Sequence, residues 1–359
     1  MENNLPFCNF LTNGLFISDK DLTDNLQIKP CCWYKESSNI ADYSKTREKW
    51  KSISGWTDNC SHCLVLENKK KDSYRAASES YYDLDGNLTM LEIDYSNFCN
   101  AACGICGPLS SNLIAKHMRL EGANKIHYPK ISQKNFIAAV DQLDISHLKT
   151  VRFKGGESLL QKFHLKILEK LKNKDAVIEY FTNGSNFPDE ECWAAWKDFK
   201  VILIFSIDGI GRKFEYIRTP LKWDQVVSNI DSIRNKNHQN VSYELSYTIN
   251  PLNLYYHDEI FQFYLKLKKS NPSFKIRMHQ CFGDWGLENT TPELRNLFKV
   301  KFGRNFSVSK MLDELTFQED QYMRFVNSIK NHEKRFNLNG AYTFPEIWNL
   351  ALRNDNRTN

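Results

Sequence analysis

The stretch from Met90 to Cys106 reads MLEIDYSNFCNAACGIC. Met90 to Tyr95 is a short run rich in apolar residues and reads as a strand. Directly after it, Cys99, Cys103 and Cys106 offer three soft thiolates within eight residues of loop. That reach suits one face of a cubane iron-sulfur cluster. A fourth iron would then lack a protein ligand and stay open to an external amino and carboxylate chelate. Zinc is the competing reading, with purely structural cysteines behind it. Zinc usually takes four ligands, often as two C-x2-C pairs, and no fourth residue lies close by in this loop.

Downstream, short apolar runs alternate with amphipathic helical stretches, the pattern of parallel βαβ units. Besides Met90 to Tyr95, strands are expected over Thr150 to Lys154, Val177 to Phe181, Val201 to Ile207, Ser242 to Ile249 and Lys275 to Cys281. Lys134 to Leu143, Gln161 to Lys172 and Trp223 to Lys236 carry helical periodicity between them. The fold class this implies is α/β, a partial (β/α)6 barrel of TIM type. In such barrels chemistry sits where the C-terminal ends of the strands meet the following loops. The unusual residues fall there: the three cysteines after the first strand, Gly155-Gly156-Glu157 after the second, Thr182-Asn183-Gly184 after the third, and Asp208-Gly209 after the fourth. Helices are expected again over Thr291 to Lys301, Lys310 to Arg335 and Pro345 to Leu352, a tail that packs on the barrel or covers its mouth.

The first 80 or so residues read as irregular, with five cysteines and few long periodic segments, as expected where bound metal replaces part of a core. Three regions follow: a cysteine-rich module over 1–84, the barrel over 85–282 and a helical extension over 283–359. Cys8, Cys31, Cys32, Cys60 and Cys63 could supply four ligands with one to spare. They suit a second cluster fully ligated by protein or a zinc knuckle built on Cys60-x2-Cys63. Cys31, directly after Pro30, is the expected ligand of the adjacent pair, and Cys32 is a further candidate or simply buried.

The 359 residues carry a net charge of +5 from 48 basic and 43 acidic side chains spread along the chain, which gives no specific nucleic-acid signal. No run of about 18 apolar residues is present and the start lacks a signal-peptide pattern, so no membrane partner and a cytoplasmic location are expected. Six of the ten cysteines fall in adjacent or C-x2-C pairs, with Cys99 just before the last, and clustered thiols in a reducing compartment suggest metal.

C-x3-C-x2-C over Cys99, Cys103 and Cys106 resembles the signature of the radical S-adenosylmethionine (SAM) superfamily. Gly155-Gly156-Glu157-Ser158 resembles that superfamily's GGE(P) element, with Ser in place of Pro. In physical terms two glycines let backbone approach a ligand and a carboxylate receives an ammonium. The resemblance implies a [4Fe-4S] cluster, S-adenosylmethionine as cosubstrate and a reductant such as flavodoxin or ferredoxin. It further implies that Thr182, Asn183, Ser206 and Asp208 contact the cosubstrate and that Arg218 meets its methionine carboxylate. The stretch from Pro6-Phe7-Cys8 through Pro30-Cys31-Cys32 to Cys60, Cys63, Glu67 and Ser73-Tyr74-Arg75 is similar to a SPASM/twitch module placed ahead of the barrel, as in bacterial and tailed-phage proteins. This favours an auxiliary [4Fe-4S] cluster. Sixteen residues separate Gly14 from Cys31, an insertion expected to displace Cys8 from that site.

The implied activity is reductive cleavage of S-adenosylmethionine and hydrogen abstraction from a peptide, sugar or nucleotide derivative. The competing class is a non-catalytic iron-sulfur or zinc scaffold of the same fold. Substrate-side candidates are Glu244, His279 and Cys281, with Asn250 and Arg277 beside them. Cys281 is a candidate hydrogen donor, although a buried core cysteine is the commoner outcome.

Overall fold

The computed structural model describes residues 7–20, 25–122, 131–303, 312 and 315–352. Pro6 and Lys310 lie outside the described residues. In the first 85 residues a short helix, α1 (Asn9–Asn13), leads into strand β1 (Gly14–Ser18), which is followed by β2 (Gln27–Lys29), β3 (Ser38–Asn39), α2 (Tyr43–Lys51) and α3 (Ser61–Asn68). Then come β4 (Met90–Tyr95), α4 (Asn112–Leu120), α5 (Gln133–Val140), β5 (Thr150–Gly155), α6 (Phe163–Lys170), β6 (Val177–Thr182), α7 (Glu190–Trp196) and β7 (Lys200–Ser206). The chain continues through α8 (Arg212–Ile217), α9 (Trp223–Asn235), β8 (Val241–Ile249), α10 (His257–Ser270) and β9 (Lys275–Gln280). Two longer helices, α11 (Pro292–Phe302) and α12 (Glu319–Phe336), dominate the remainder.

The fold is mixed α/β on one sheet in the order β3-β2-β1-β4-β5-β6-β7-β8-β9. β4 to β9 are parallel neighbours in chain order, within a residue or two of their expected bounds. The cysteine-rich region departs from expectation. It is not merely irregular, because Gly14–Ser18 pairs in parallel with β4, in the register Gly14↔Met90 to Ser18↔Asp94. Five residues without polar alternation read as part of a loop, yet all five are buried, as a strand covered on both faces requires. The tail departs too: residues 315–318 are not helical, so the long helix begins at Glu319, and the last expected helix shrinks to Trp348–Ala351.

Strand alternation sends the two sheet faces to different surroundings. Leu91, Ile93, Val151, Phe153, Ile178, Tyr180, Leu203, Phe205 and Leu245 join Phe136, Phe163, Ile167, Trp196 and Ile230 from the helices in one apolar core. The other face is charged. Glu92 on β4 opposes Arg152 on β5, which opposes Glu179 on β6. Arg152 donates to Glu92 at 2.9 Å and to Glu179 at 2.5 Å, and Lys154 reaches Glu92 at 2.8 Å. Arg277 on β9 pairs with Glu244 on β8 and, at 2.7 Å, with Glu179 on β6. Two strands lie between β6 and β9, so this contact requires the sheet to curl around its charged face. Burial alone would raise Glu92, yet Lys154 and Arg152 hold its carboxyl down at about 2. Among the described residues no helix is long and apolar enough to cross a membrane.

Candidate functional site

The loop after β4 is built by its own hydrogen bonds. Ser96 adopts a left-handed conformation (φ 68°) and its N–H donates to Asp19 Oδ1 at 2.9 Å, so the end of β1 braces the turn. Ser111 caps α4 by accepting from Ile114 N at 3.2 Å, and its hydroxyl donates to Ala101 O at 2.6 Å. Asn112 Oδ1 accepts from Cys99 N at 3.0 Å. The far side of the loop runs along residues 217–219: Ala102 N donates to Thr219 O at 2.6 Å and Gly104 N to Ile217 O at 2.8 Å. Trp285 covers it, and a Cβ on Gly104 would sit 2.2 Å from the indole.

Cys99, Cys103 and Cys106 thereby reach one cleft of about 250 Å³, together with Gly155, Gly156, Glu157, Thr182, Asn183, Ser206 and Arg218. Asp94, Lys154 and Phe181, which the sequence reading left aside, line it as well. All three sit near the C-terminal ends of their strands on the inward alternation, the signal that would have found them. Gly155 and Gly156 have a reason other than ligand approach. A Cβ on Gly155 would lie 2.3 Å from Tyr95 O, and one on Gly156 2.2 Å from Phe98 O, so both glycines admit the cysteine loop itself. Glu157 is 1% exposed and accepts from Asn183 N at 2.7 Å, and burial raises its carboxyl.

Asp208 does not line the cleft. It is fully buried, accepts from Thr248 N at 2.7 Å and pairs with Arg218 at 2.6 Å. Arg218 in turn points Nη1 at Cys103 Sγ, 3.9 Å away. Burial pushes the Cys99 thiol up to about 12. Between Cys103 and Cys106 the shared hydrogen bond favours ionisation of Cys106, which lies at about 7, and raises Cys103. Of the substrate-side candidates, Cys281 packs in a second apolar cluster with Tyr247, Trp285 and Phe325. Glu244 is held by Arg277, and His279 sits at the surface of β9, where partial desolvation and the charges of Lys154, Arg277 and Arg152 lower it. None of the three lines the cleft.

Cys8, Cys31, Cys60 and Cys63 line a second, much smaller pocket of about 20 Å³ among Phe7, Phe10, Leu11, Trp33 and Trp56. The sixteen residues between Gly14 and Cys31 include the rest of β1 and all of β2, and Cys8 stays in this group. Arg75 closes one side, fixed by Glu67 at 2.6 Å and donating to Phe7 O at 3.0 Å. Cys32 is absent from this lining and lies instead against Glu92, Lys154 and Arg152, pushed up to about 12 mainly by burial. Among the described residues no three His, Cys, Asp or Glu side chains gather closely enough to hold a metal ion. A cubane spreads its thiolates over separate irons and so farther apart than the ligands of one tetrahedral zinc, with Zn–S near ~2.3 Å. Both donor sets are soft sulfur, which suits iron-sulfur.

The chain matches no protein-family profile and no curated protein. Among solved structures it is similar to a polyhistidine-tagged anSMEcpe with bound AdoMet, at 15% identity over 68% of this chain and 57% of that one (TM-score 0.39). It is also similar to native anSMEcpe with bound AdoMet and Cp18Cys peptide, at 15% identity over 68% of this chain and 58% of that one (TM-score 0.37). Streptococcus suis SuiB bound to S-adenosylmethionine aligns at 13% identity over 74% of this chain and 59% of that one (TM-score 0.38). The matched region thus spans less than two thirds of each of these chains.

Proposed function

We propose that the protein is a radical SAM enzyme on a partial (β/α)6 barrel, with Cys99, Cys103 and Cys106 holding a [4Fe-4S] cluster. The observation that carries this reading is the shared cleft: three thiols, a two-glycine turn, a buried carboxylate and a guanidinium meet at the C-terminal ends of parallel strands. When bound and reduced, the cluster would supply the electron that splits S-adenosylmethionine into methionine and a 5′-deoxyadenosyl radical. The chain's own residues would position the cosubstrate. Backbone at Gly155 and Gly156, with Thr182, Asn183 and Ser206, would hold it by hydrogen bonds, and Arg218 would attract a carboxylate. The aromatic ring of Phe181 and the tightly docked loop would limit water near the reacting atoms.

Cys8, Cys31, Cys60 and Cys63 would hold an auxiliary [4Fe-4S] cluster in their apolar pocket, with Cys32 outside its ligand set. An external reductant completes the reaction, and the substrate is a molecule with an abstractable hydrogen. The test is anaerobic reconstitution followed by dithionite and S-adenosylmethionine. Formation of 5′-deoxyadenosine is expected, with about eight irons per chain for two cubanes. A protein that holds its cluster and yields no 5′-deoxyadenosine would sink the enzyme reading.

A further inference from the structure

We propose that Arg218, held by Asp208, sets the reduction potential of the cluster on Cys103, so that this buried ion pair is a redox-tuning element as well as a wall of the cleft. The inference rests on the cluster reading above.

Backbone geometry aims the guanidinium. Residues 217–219 run alongside 102–104, joined by the two hydrogen bonds from Ala102 N and Gly104 N, and this brings the side chains of Arg218 and Cys103 together. Asp208 holds Nη2 at 2.6 Å and is itself fixed by Thr248 N, leaving Nη1 against Cys103 Sγ at 3.9 Å. Arg218 is only 8% exposed and its Nε has no hydrogen-bond partner among the described residues, so the charge sits in a poorly hydrated place where its field is strong. The donors to Cys99 are neutral, Ala101 N at 3.4 Å and Asn183 Nδ2 at 4.0 Å. Among the described residues, the one full positive charge hydrogen-bonded to a sulfur of the triad is therefore on Cys103.

Reduction brings in one electron from an external donor and neither makes nor breaks a bond at these residues. It adds one negative charge to the cluster. A cation against a ligand sulfur favours the more negative state and raises the potential, as do hydrogen bonds to the sulfurs. Asp208 opposes this from the far side of the guanidinium. The pair thus places its positive end on the cluster, and its two members act with opposite sign.

The test is potentiometric titration followed by electron paramagnetic resonance on the reconstituted full chain. It is run without S-adenosylmethionine, so that a lost cosubstrate contact does not enter. The signal missing from Cys103→Ala identifies the cluster concerned. Arg218→Gln is expected to lower its midpoint potential, Asp208→Asn to raise it, and Arg218→Lys to stay nearest the unaltered protein. An Arg218→Gln cluster with full iron and an unchanged potential overturns the proposal, as does a shift of both neutral variants in the same direction. Should Arg218→Gln fail to hold iron, Asp208→Asn decides: an upward shift supports the proposal and no shift overturns it. Absence of iron from the unaltered protein would instead remove the cluster reading itself.

Discussion

Cys8, Cys31, Cys60 and Cys63 line a pocket walled by Phe7, Phe10 and Trp56, whereas Cys99, Cys103 and Cys106 open on a larger cleft walled by Lys154, Glu157 and Arg218. Four thiols in apolar surroundings would leave a cubane no free iron, and the pocket has little room for a second molecule. Three thiols beside fixed charges would leave one iron of a cubane free, next to groups able to recognise a charged ligand. On the proposed reading, the difference would separate two roles, electron relay or structural support in the first place and cosubstrate chemistry in the second. Cys32 stands at the boundary, next in chain to a member of the apolar group but turned toward Glu92 and Lys154.

Removing a ligand from the cleft should have the largest effect. Cys103→Ala should cut 5′-deoxyadenosine formation by roughly a hundredfold or more, to background, while about four irons per chain remain in the other pocket. Quantitation of nucleoside and iron on one sample checks both halves, and full retention of activity would break the comparison at its root. Within the module, Cys8→Ala and Cys32→Ala should part company: the first loses about four irons and the second keeps them. Equal iron in the two variants would show that the pocket's lining does not define its ligands.

The wall between the two sites offers a stability test. Glu92 binds Lys154 and Arg152 on the neighbouring strand β5 and accepts from the Tyr74 hydroxyl of the N-terminal region at 3.0 Å. Glu92→Gln leaves Lys154 without its carboxylate partner and Arg152 with Glu179 alone, and should cost about 3 kcal/mol in chemical denaturation. A loss below about 1 kcal/mol would mean that the network relaxes around the change.

The smallest effect is expected from pH. Burial, with Arg335 adding to it, lowers His332 to about 4, against the opposing hydrogen bond to Tyr216 O at 2.9 Å. The unfolded chain then binds more protons than the folded one between about 6.5 and 4, so stability is full above that window and falls as pH drops through it. His332→Gln should flatten the fall in melting temperature between pH 7 and pH 5, in part only, because His164 is lowered to about 4 by burial and acts in the same direction. An unchanged pH slope would remove His332 from the account. His332 packs on Trp285, 5.6 Å between ring centres, so this measurement also reports on the cover over the cysteine loop.

Sequence and structure agree most closely where the information is local. Six short apolar runs alternating with helical stretches, three thiols in eight residues and a Gly-Gly-Glu turn are each contained within a few positions. Contacts between distant positions were not legible. Nothing in Asp208-Gly209 says that the carboxylate turns inward to Arg218 and not toward a ligand, and nothing near Phe282 says that Trp285 will lie on Gly104. Cys281 follows a strand whose inward face is polar, but after Gln280 the chain enters the apolar cluster of the tail and takes the thiol with it. The strand Gly14–Ser18 escaped because both its faces are covered and it shows no period.

That strand also bears on how the sheet can be cut. β1 and β4 are adjacent and parallel, and the whole run from Asp19 to Thr89 forms the connection between them. A chain beginning near residue 85 would therefore lose more than its first cysteines. It would expose the full edge of β4, with Leu91 and Ile93 now at a rim of unpaired amides, a template for pairing with other chains. Such a truncation is expected to precipitate or self-associate even where its own three thiols are intact.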